Sequence, residues 1–198
     1  CYGGTTSLAF ENQIKNSPKD FNFNFDFIVH GLADTTIIEL MEYITNKKMF
    51  PLGRTVNGVR IVEHDVKASQ FDFRNSIQEY KPHDLISDGE TLSIETARGC
   101  IFRCAFCSYP LLGKNKNDMS YYKTVDCMTH EMRTNYENYK TVNYSIVDDT
   151  FNERTDKIVN LIKARDAAKV DASFVSYIRI DLVERYPEQM KLLKELNL

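Results

Sequence analysis

The sequence predicts an α/β protein in two parts, and three observations carry that prediction. Through the second half, strand-length apolar runs and helical patterns alternate three times with short connections, as in parallel βα units. In the first half Asn57-Gly58 sits between β-branched runs, a strong signal for a two-residue hairpin. Between the halves lies a polar stretch that carries Pro82 and Gly89 and holds no sustained period. The expected organisation is an α/β domain over 1–65, a linker over 66–90 and a series of βα units over 91–198.

The elements follow in order. "CYGG" at the start reads as the end of a strand running into a glycine turn, and "FNFNFDFIV" (Phe21 to Val29) alternates and then turns continuously apolar, as a strand entering a buried sheet does. His30-Gly31 ends it. Asp34 and Thr36 offer N-caps, Glu39 completes a Thr-x-x-Glu capping box, and Ile37, Leu40, Met41 and Ile44 make one helical face. In the second half "TLSIETA" (Thr91 to Ala97) is a strand, and Thr124 caps a helix with the apolar face Val125, Met128, Met132, Tyr136 and Tyr139. "VNYSIV" (Val142 to Val147) is the next strand, ending in Asp148-Asp149. Asn152 is expected to cap a helix carrying Ile158, Leu161, Ile162 and Ala168, and "ASFVSYIRI" (Ala172 to Ile180) is a third strand. Pro187 stands where the first turn of a third helix begins. The last apolar pattern, Met190, Leu193 and Leu196, meets no stop signal before Leu198, and the chain opens on Cys1; the expectation is a fragment of a longer protein.

Composition narrows the class. Lys+Arg number 25 against 28 Asp+Glu, for a net charge of -3, and neither sign gathers into the block of a nucleic-acid arm or an acidic tail. No apolar run approaches the roughly 20 residues that span a bilayer, and the start lacks the order of a signal peptide, so a soluble, cytoplasmic protein is expected. Five cysteines, an odd number in a clustered arrangement, look unlike a disulfide framework and more like thiols used as ligands or in catalysis.

Cys100, Cys104 and Cys107 lie at i, i+4 and i+7, within the stretch "ETARGCIFRCAFCSYPLLGK". That spacing also describes the buried face of a helix, but Gly99 before it and Pro110 after it point to a loop leaving a strand. A structural zinc site needs a fourth ligand, and Cys127, Cys1 and His130 all lie at non-standard spacings. Three thiolates on a short loop suit a cubane iron-sulfur cluster, where a missing fourth cysteine leaves one iron open. His30, His64, His83 and His130 share no spacing and read as solvated or capping residues. Cys127 reads as a small packing residue, and Lys114 and Lys116 as a short basic loop.

The pattern C-x-x-x-C-x-x-C, with Phe106 just before the last cysteine and "ARG" just before the first, resembles the signature of the radical S-adenosylmethionine enzymes. The resemblance implies a partial (βα) TIM-like barrel, of which about three βα units are present, with the loop at the C-terminal end of its first strand, where βα barrels build their sites. It implies Cys100, Cys104 and Cys107 as ligands of a 4Fe-4S cluster whose open iron is chelated by S-adenosylmethionine. Reductive cleavage then yields a 5'-deoxyadenosyl radical that takes hydrogen from a substrate, with electrons from a reductant such as flavodoxin or ferredoxin. Phe106 is implied as a neighbour of the adenine. Asp148 and Asp149, in "VDDTF", resemble an Asp-Asp-x-Phe variant of the motif that holds the amino group of S-adenosylmethionine. Arg179, in "YIRID", is a candidate to reach a carboxylate, with an ion pair to Asp181 or Glu184 as the other reading.

"YGGTTS", "FDFIVHGLAD", a helix, a hairpin and a linker into "IETARGC" resemble in their order the cobalamin-binding subgroup of this family. That resemblance implies the C-terminal part of a doubly wound domain, with Gly3, Gly4, Thr5 and the Gly31 loop near a cobalamin used for methyl transfer. This chain carries Gly-Leu-Ala-Asp (Gly31 to Asp34) where relatives often carry Gly-Glu-Gly-Glu, so a first part that never bound cobalamin stays an open alternative. No catalytic residue and no substrate are named by these patterns. From a different class, a noncatalytic iron-sulfur module for electron transfer or scaffolding uses the same three cysteines.

Overall fold

The computed structural model describes residues 2–4, 15–16, 26–30, 33–34, 36–46, 53–63, 72–102, 104–107 and 122–198. The chain divides into two compact units, Cys1–Phe71 and Asp72–Leu198.

The first unit holds a four-stranded mixed sheet. Strands β1 (Tyr2–Gly4), β2 (Phe27–His30), β3 (Gly53–Val56) and β4 (Val59–Glu63) lie in the order β1-β2-β4-β3. β1, β2 and β4 run parallel, and β3 pairs antiparallel with β4 through Val56↔Val59. The hairpin forms where expected because Asn57 and Gly58 both take positive φ, 48° and 83°, as a type I′ turn requires. Gly53 has no alternative either: a Cβ there would sit 2.4 Å from the Ile61 carbonyl oxygen. Of the strand expected from Phe21, only the end at β2 is described; residues 21–25 lie outside the described residues.

Helix α1 (Thr36–Asn46) buries Leu40 against Val29 and Val62, while Ile28, Val59 and Ile61 form a separate small cluster. Leu40 alone of the four members of the expected helical face is buried, whereas Ile37, Met41 and Ile44 are exposed.

The second unit is built on three parallel strands, β5 (Leu92–Ile94), β6 (Asn143–Ile146) and β7 (Ser173–Val175), in that order. Helix α2 (Val125–Tyr139) connects the first pair and α3 (Thr155–Ala168) the second; α4 (Ile180–Arg185) and α5 (Glu188–Glu195) follow β7. Thr124 caps α2 as expected, accepting from the Cys127 amide at 3.3 Å. Ile94, Tyr144 and Ile146 from the strands meet Met128, Met132, Ile158 and Leu161 from the helices in one core, which Leu193 and Leu196 close. Each fully buried side chain of this size contributes about 1.5–3 kcal/mol, so this cluster is the main source of stability in the unit. Tyr136, on the expected apolar face of α2, is 43% exposed.

Three further expectations change. Residues 72–90 are not a free linker: they belong to the second unit and hold two 3-10 turns, Phe73–Asn75 and Pro82–Asp84. Glu131 accepts from the Gln78 amide at 2.6 Å, Tyr139 donates to the Tyr80 carbonyl at 3.0 Å, and the Gly89 amide donates to the Tyr139 carbonyl at 2.7 Å. Asn152 does not cap α3, whose N-cap is Arg154; its amide takes both backbone groups of Arg179, accepting from the N–H at 2.7 Å and donating to the carbonyl at 2.9 Å. The third strand is Ser173–Val175 instead of running to Ile180: the Arg179 backbone bonds the Asn152 side chain, and Ile180 already begins α4. No helix among the described residues is long and apolar enough to cross a membrane.

Candidate functional site: the cysteine loop beyond the parallel strands

The loop that carries the cysteines leaves the C-terminal end of β5 and is closed at its base. Ala97 bridges Tyr122 in antiparallel fashion, and the Lys123 amide donates to the Thr96 carbonyl at 2.9 Å. Gly99 takes φ of 85° there, a conformation costly for any residue with a Cβ. Residues 108–121, with Pro110, Lys114 and Lys116, and likewise Arg103, lie outside the described residues.

Beneath the loop is a buried polar cluster. Asp148, at the end of β6, accepts from the Thr96 amide at 2.7 Å, the Ala97 amide at 3.1 Å, the Thr96 hydroxyl and the Lys157 ammonium at 2.8 Å. Lys157 also donates to the Thr150 carbonyl at 3.0 Å and stands 3.6 Å from Glu153. Glu153 in turn accepts from the Tyr122 hydroxyl at 2.9 Å and from the Ile101 amide at 3.3 Å. The side chains of Asp148, Glu153 and Lys157 are all at most 3% exposed. Charges this deep persist only when paired and fully hydrogen-bonded, and these are.

The two adjacent aspartates therefore differ in kind. Asp148 is committed to holding the loop to the end of β6. Asp149 is half-buried and accepts from the Gly99 amide; burial pushes its carboxyl above the usual range, and the neighbouring Asp148 charge adds to that push.

All four described cysteines are free thiols, and Cys100, Cys104 and Cys107 are each partly exposed. Cys100 Sγ lies 3.4 Å from the Thr150 hydroxyl, and the Cys107 amide donates to the Cys104 carbonyl at 3.0 Å, closing a turn that leaves Phe106 94% exposed. Arg179 reaches the same loop from beyond β7: its guanidinium stacks over the Phe102 ring at 4.1 Å and Nη1 lies 3.8 Å from Cys104 Sγ. Asp181 takes Nε at 3.0 Å and Nη2 at 2.6 Å, and this pairing is the main reason the guanidinium holds its proton more tightly than usual. Cys127 is buried in α2, as its packing role predicts.

The donor set of three free, accessible thiols on one loop has the chemistry that iron takes from proteins. Among the described residues, however, no three His, Cys, Asp or Glu side chains stand gathered as a metal-holding group. Of the three thiols, Cys104 lies beside a cation, the Arg179 guanidinium.

Sequence reasoning missed Lys157, Glu153, Thr150, Thr96 and Tyr122, which hold the loop. Glu153 and Lys157 do stand four apart, the spacing of a helical ion pair, but that spacing is common on solvated faces and gives no hint of burial.

A scan against protein-family models finds no match, and searches of the curated proteins and of the solved structures find none either.

Proposed function

We propose that the protein is a radical S-adenosylmethionine enzyme in which Cys100, Cys104 and Cys107 hold a 4Fe-4S cluster with one iron left open. The observation that supports this most is the placement of three free, partly exposed thiols on a single loop at the C-terminal end of the first of three parallel strands. Open parallel sheets bind ligands at that end. When bound, cluster and S-adenosylmethionine together supply the one-electron chemistry that opens the sulfonium, fed by a reductant such as flavodoxin or ferredoxin.

The chain's own residues then have divided work. Asp148, Glu153 and Lys157 hold the base of the loop against the ends of the strands, so the first thiol, Cys100, is presented from a fixed backbone. A cluster would take all three sulfurs to one centre, with Cys104 and Cys107 joined by one backbone turn. Phe106 offers an exposed aromatic face to an adenine, and Asp149 a half-buried carboxylate to an ammonium group. For the first unit, methyl transfer through cobalamin is the variant that the order of its elements supports, with Gly3 and Gly4 in β1 and Thr5 and Gly31 outside the described residues.

The test is product formation. The activity proposed is that of the full-length protein, which is loaded with iron and sulfide without oxygen, reduced and given S-adenosylmethionine, and 5'-deoxyadenosine is sought by chromatography. Its appearance is expected; its absence from a protein with an intact cluster would leave an electron-transfer or scaffolding module as the function.

A further inference from the structure

From the geometry around Arg179 we infer that this residue is a fixed cation that raises the reduction potential of the group held by Cys100, Cys104 and Cys107, rather than a binder of a cofactor carboxylate; the inference rests on the cluster reading above.

Arginine binds a carboxylate with two parallel N–H groups. In Arg179 that fork is already engaged, because Asp181 accepts from Nε at 3.0 Å and from Nη2 at 2.6 Å. The nitrogen left over, Nη1, points to Cys104 Sγ at 3.8 Å. A lone surface ion pair would not hold a guanidinium in place, since such pairs are weak. Two other contacts do. Cζ of the guanidinium lies over the ring of Phe102, two residues before Cys104, at 4.1 Å from the ring centre, and the ring face attracts the cation.

Behind it, the backbone of Arg179 is pinned on both sides by Asn152, which is itself held by Gln189. The Asn152 amide donates to Gln189 Oε1 at 3.1 Å, and Gln189 Nε2 donates back to the Asn152 carbonyl at 3.2 Å. Both amide residues are fully buried, at 0% exposure, so the pin belongs to the core while the guanidinium works at the surface. The guanidinium is thus placed by the fold beside one of the three sulfurs, Cys104 Sγ.

An electron added to a thiolate-ligated cluster makes the whole group more negative. A fixed positive charge beside a ligating sulfur favours that state and raises the potential, and hydrogen bonds to the sulfurs act in the same sense. Asp181 opposes it from the far side of the guanidinium.

The experiment is an EPR-monitored redox titration of the protein loaded with iron and sulfide, with iron content measured first. Arg179→Gln is expected to load as well as the parent and to change the reduced-to-oxidised ratio at a fixed potential about tenfold toward oxidised, which for one electron is about 59 mV downward. Asp181→Asn is expected to shift it upward. It carries the test should R179Q take up no cluster, and an unchanged potential in D181N then overturns the inference. Loaded parent and R179Q proteins with equal potentials also overturn it and leave the proposed function standing. A parent that takes up no cluster overturns both.

Discussion

Two parts of the cysteine loop are made differently. From Thr96 to Ile101 the backbone is fastened at Thr96, Ala97 and Ile101 by buried carboxylates, and Cys100 touches the Thr150 hydroxyl. From Cys104 to Cys107 one backbone turn and the Arg179 contact are the described hydrogen bonds, and Phe106 stands in solvent. The fastened base sets where a bound group sits, and the Cys104–Cys107 turn, with Phe106 exposed, is the tip that meets it. The base should therefore answer to stability measurements and the tip to binding measurements.

The sharpest way to break that division is Lys157→Met. It strands Asp148 and Glu153 without their buried counter-charge, and a loss of about 3–5 kcal/mol is expected in urea unfolding. A loss under ~1 kcal/mol would mean that the base is not held by charge. Asn152→Ala, which removes both bonds to the Arg179 backbone and the pairing with Gln189, is expected to cost roughly 1–3 kcal/mol in the same measurement. Thr150→Val removes the hydroxyl beside Cys100 and should cost about 1 kcal/mol.

Asp149 sharpens the comparison through pH. Its carboxyl is raised in the folded protein, so at pH below the ordinary aspartate value of 3.8 it costs nothing. As pH rises from there the folded state binds more protons than the unfolded one and stability is lost. Asp149→Asn should therefore be more stable than the parent at neutral pH, with the gain vanishing in acid; a gain independent of pH would contradict the account. At the tip, Phe106→Ala should leave stability within about 0.5 kcal/mol. In the iron-loaded protein it should weaken S-adenosylmethionine binding roughly fivefold or more by calorimetry, the scale of one stacked base.

Much of this was legible in the sequence for definite reasons. The hairpin at Asn57-Gly58 and the cap at Thr124 are local, set by positive φ and by one hydroxyl, and both stand where the residues put them. The strand and helix order of the second unit follows from periodicity that its single core enforces. What could not be read depends on long-range polar pairing. Asn152 looks like a cap in sequence because its partner, Arg179, is 27 residues away. Residues 72–90 look like a linker because their bonds run to Glu131 and Tyr139, on a helix some fifty residues on. Asp148 and Asp149 are identical letters, and partners elsewhere in the sequence separate them: Thr96, Ala97 and the Lys157 ammonium against one, the Gly99 amide against the other.

The central claim is that three thiols hold a cluster with an open iron, and the most direct measurement is the EPR spectrum of the reduced, iron-loaded protein before and after S-adenosylmethionine is added. The account predicts about four iron per chain, lost when Cys100, Cys104 and Cys107 are replaced by alanine, and a spectrum that changes when the cofactor binds. Iron at the level of the triple variant, or a cluster whose spectrum ignores S-adenosylmethionine, would contradict it.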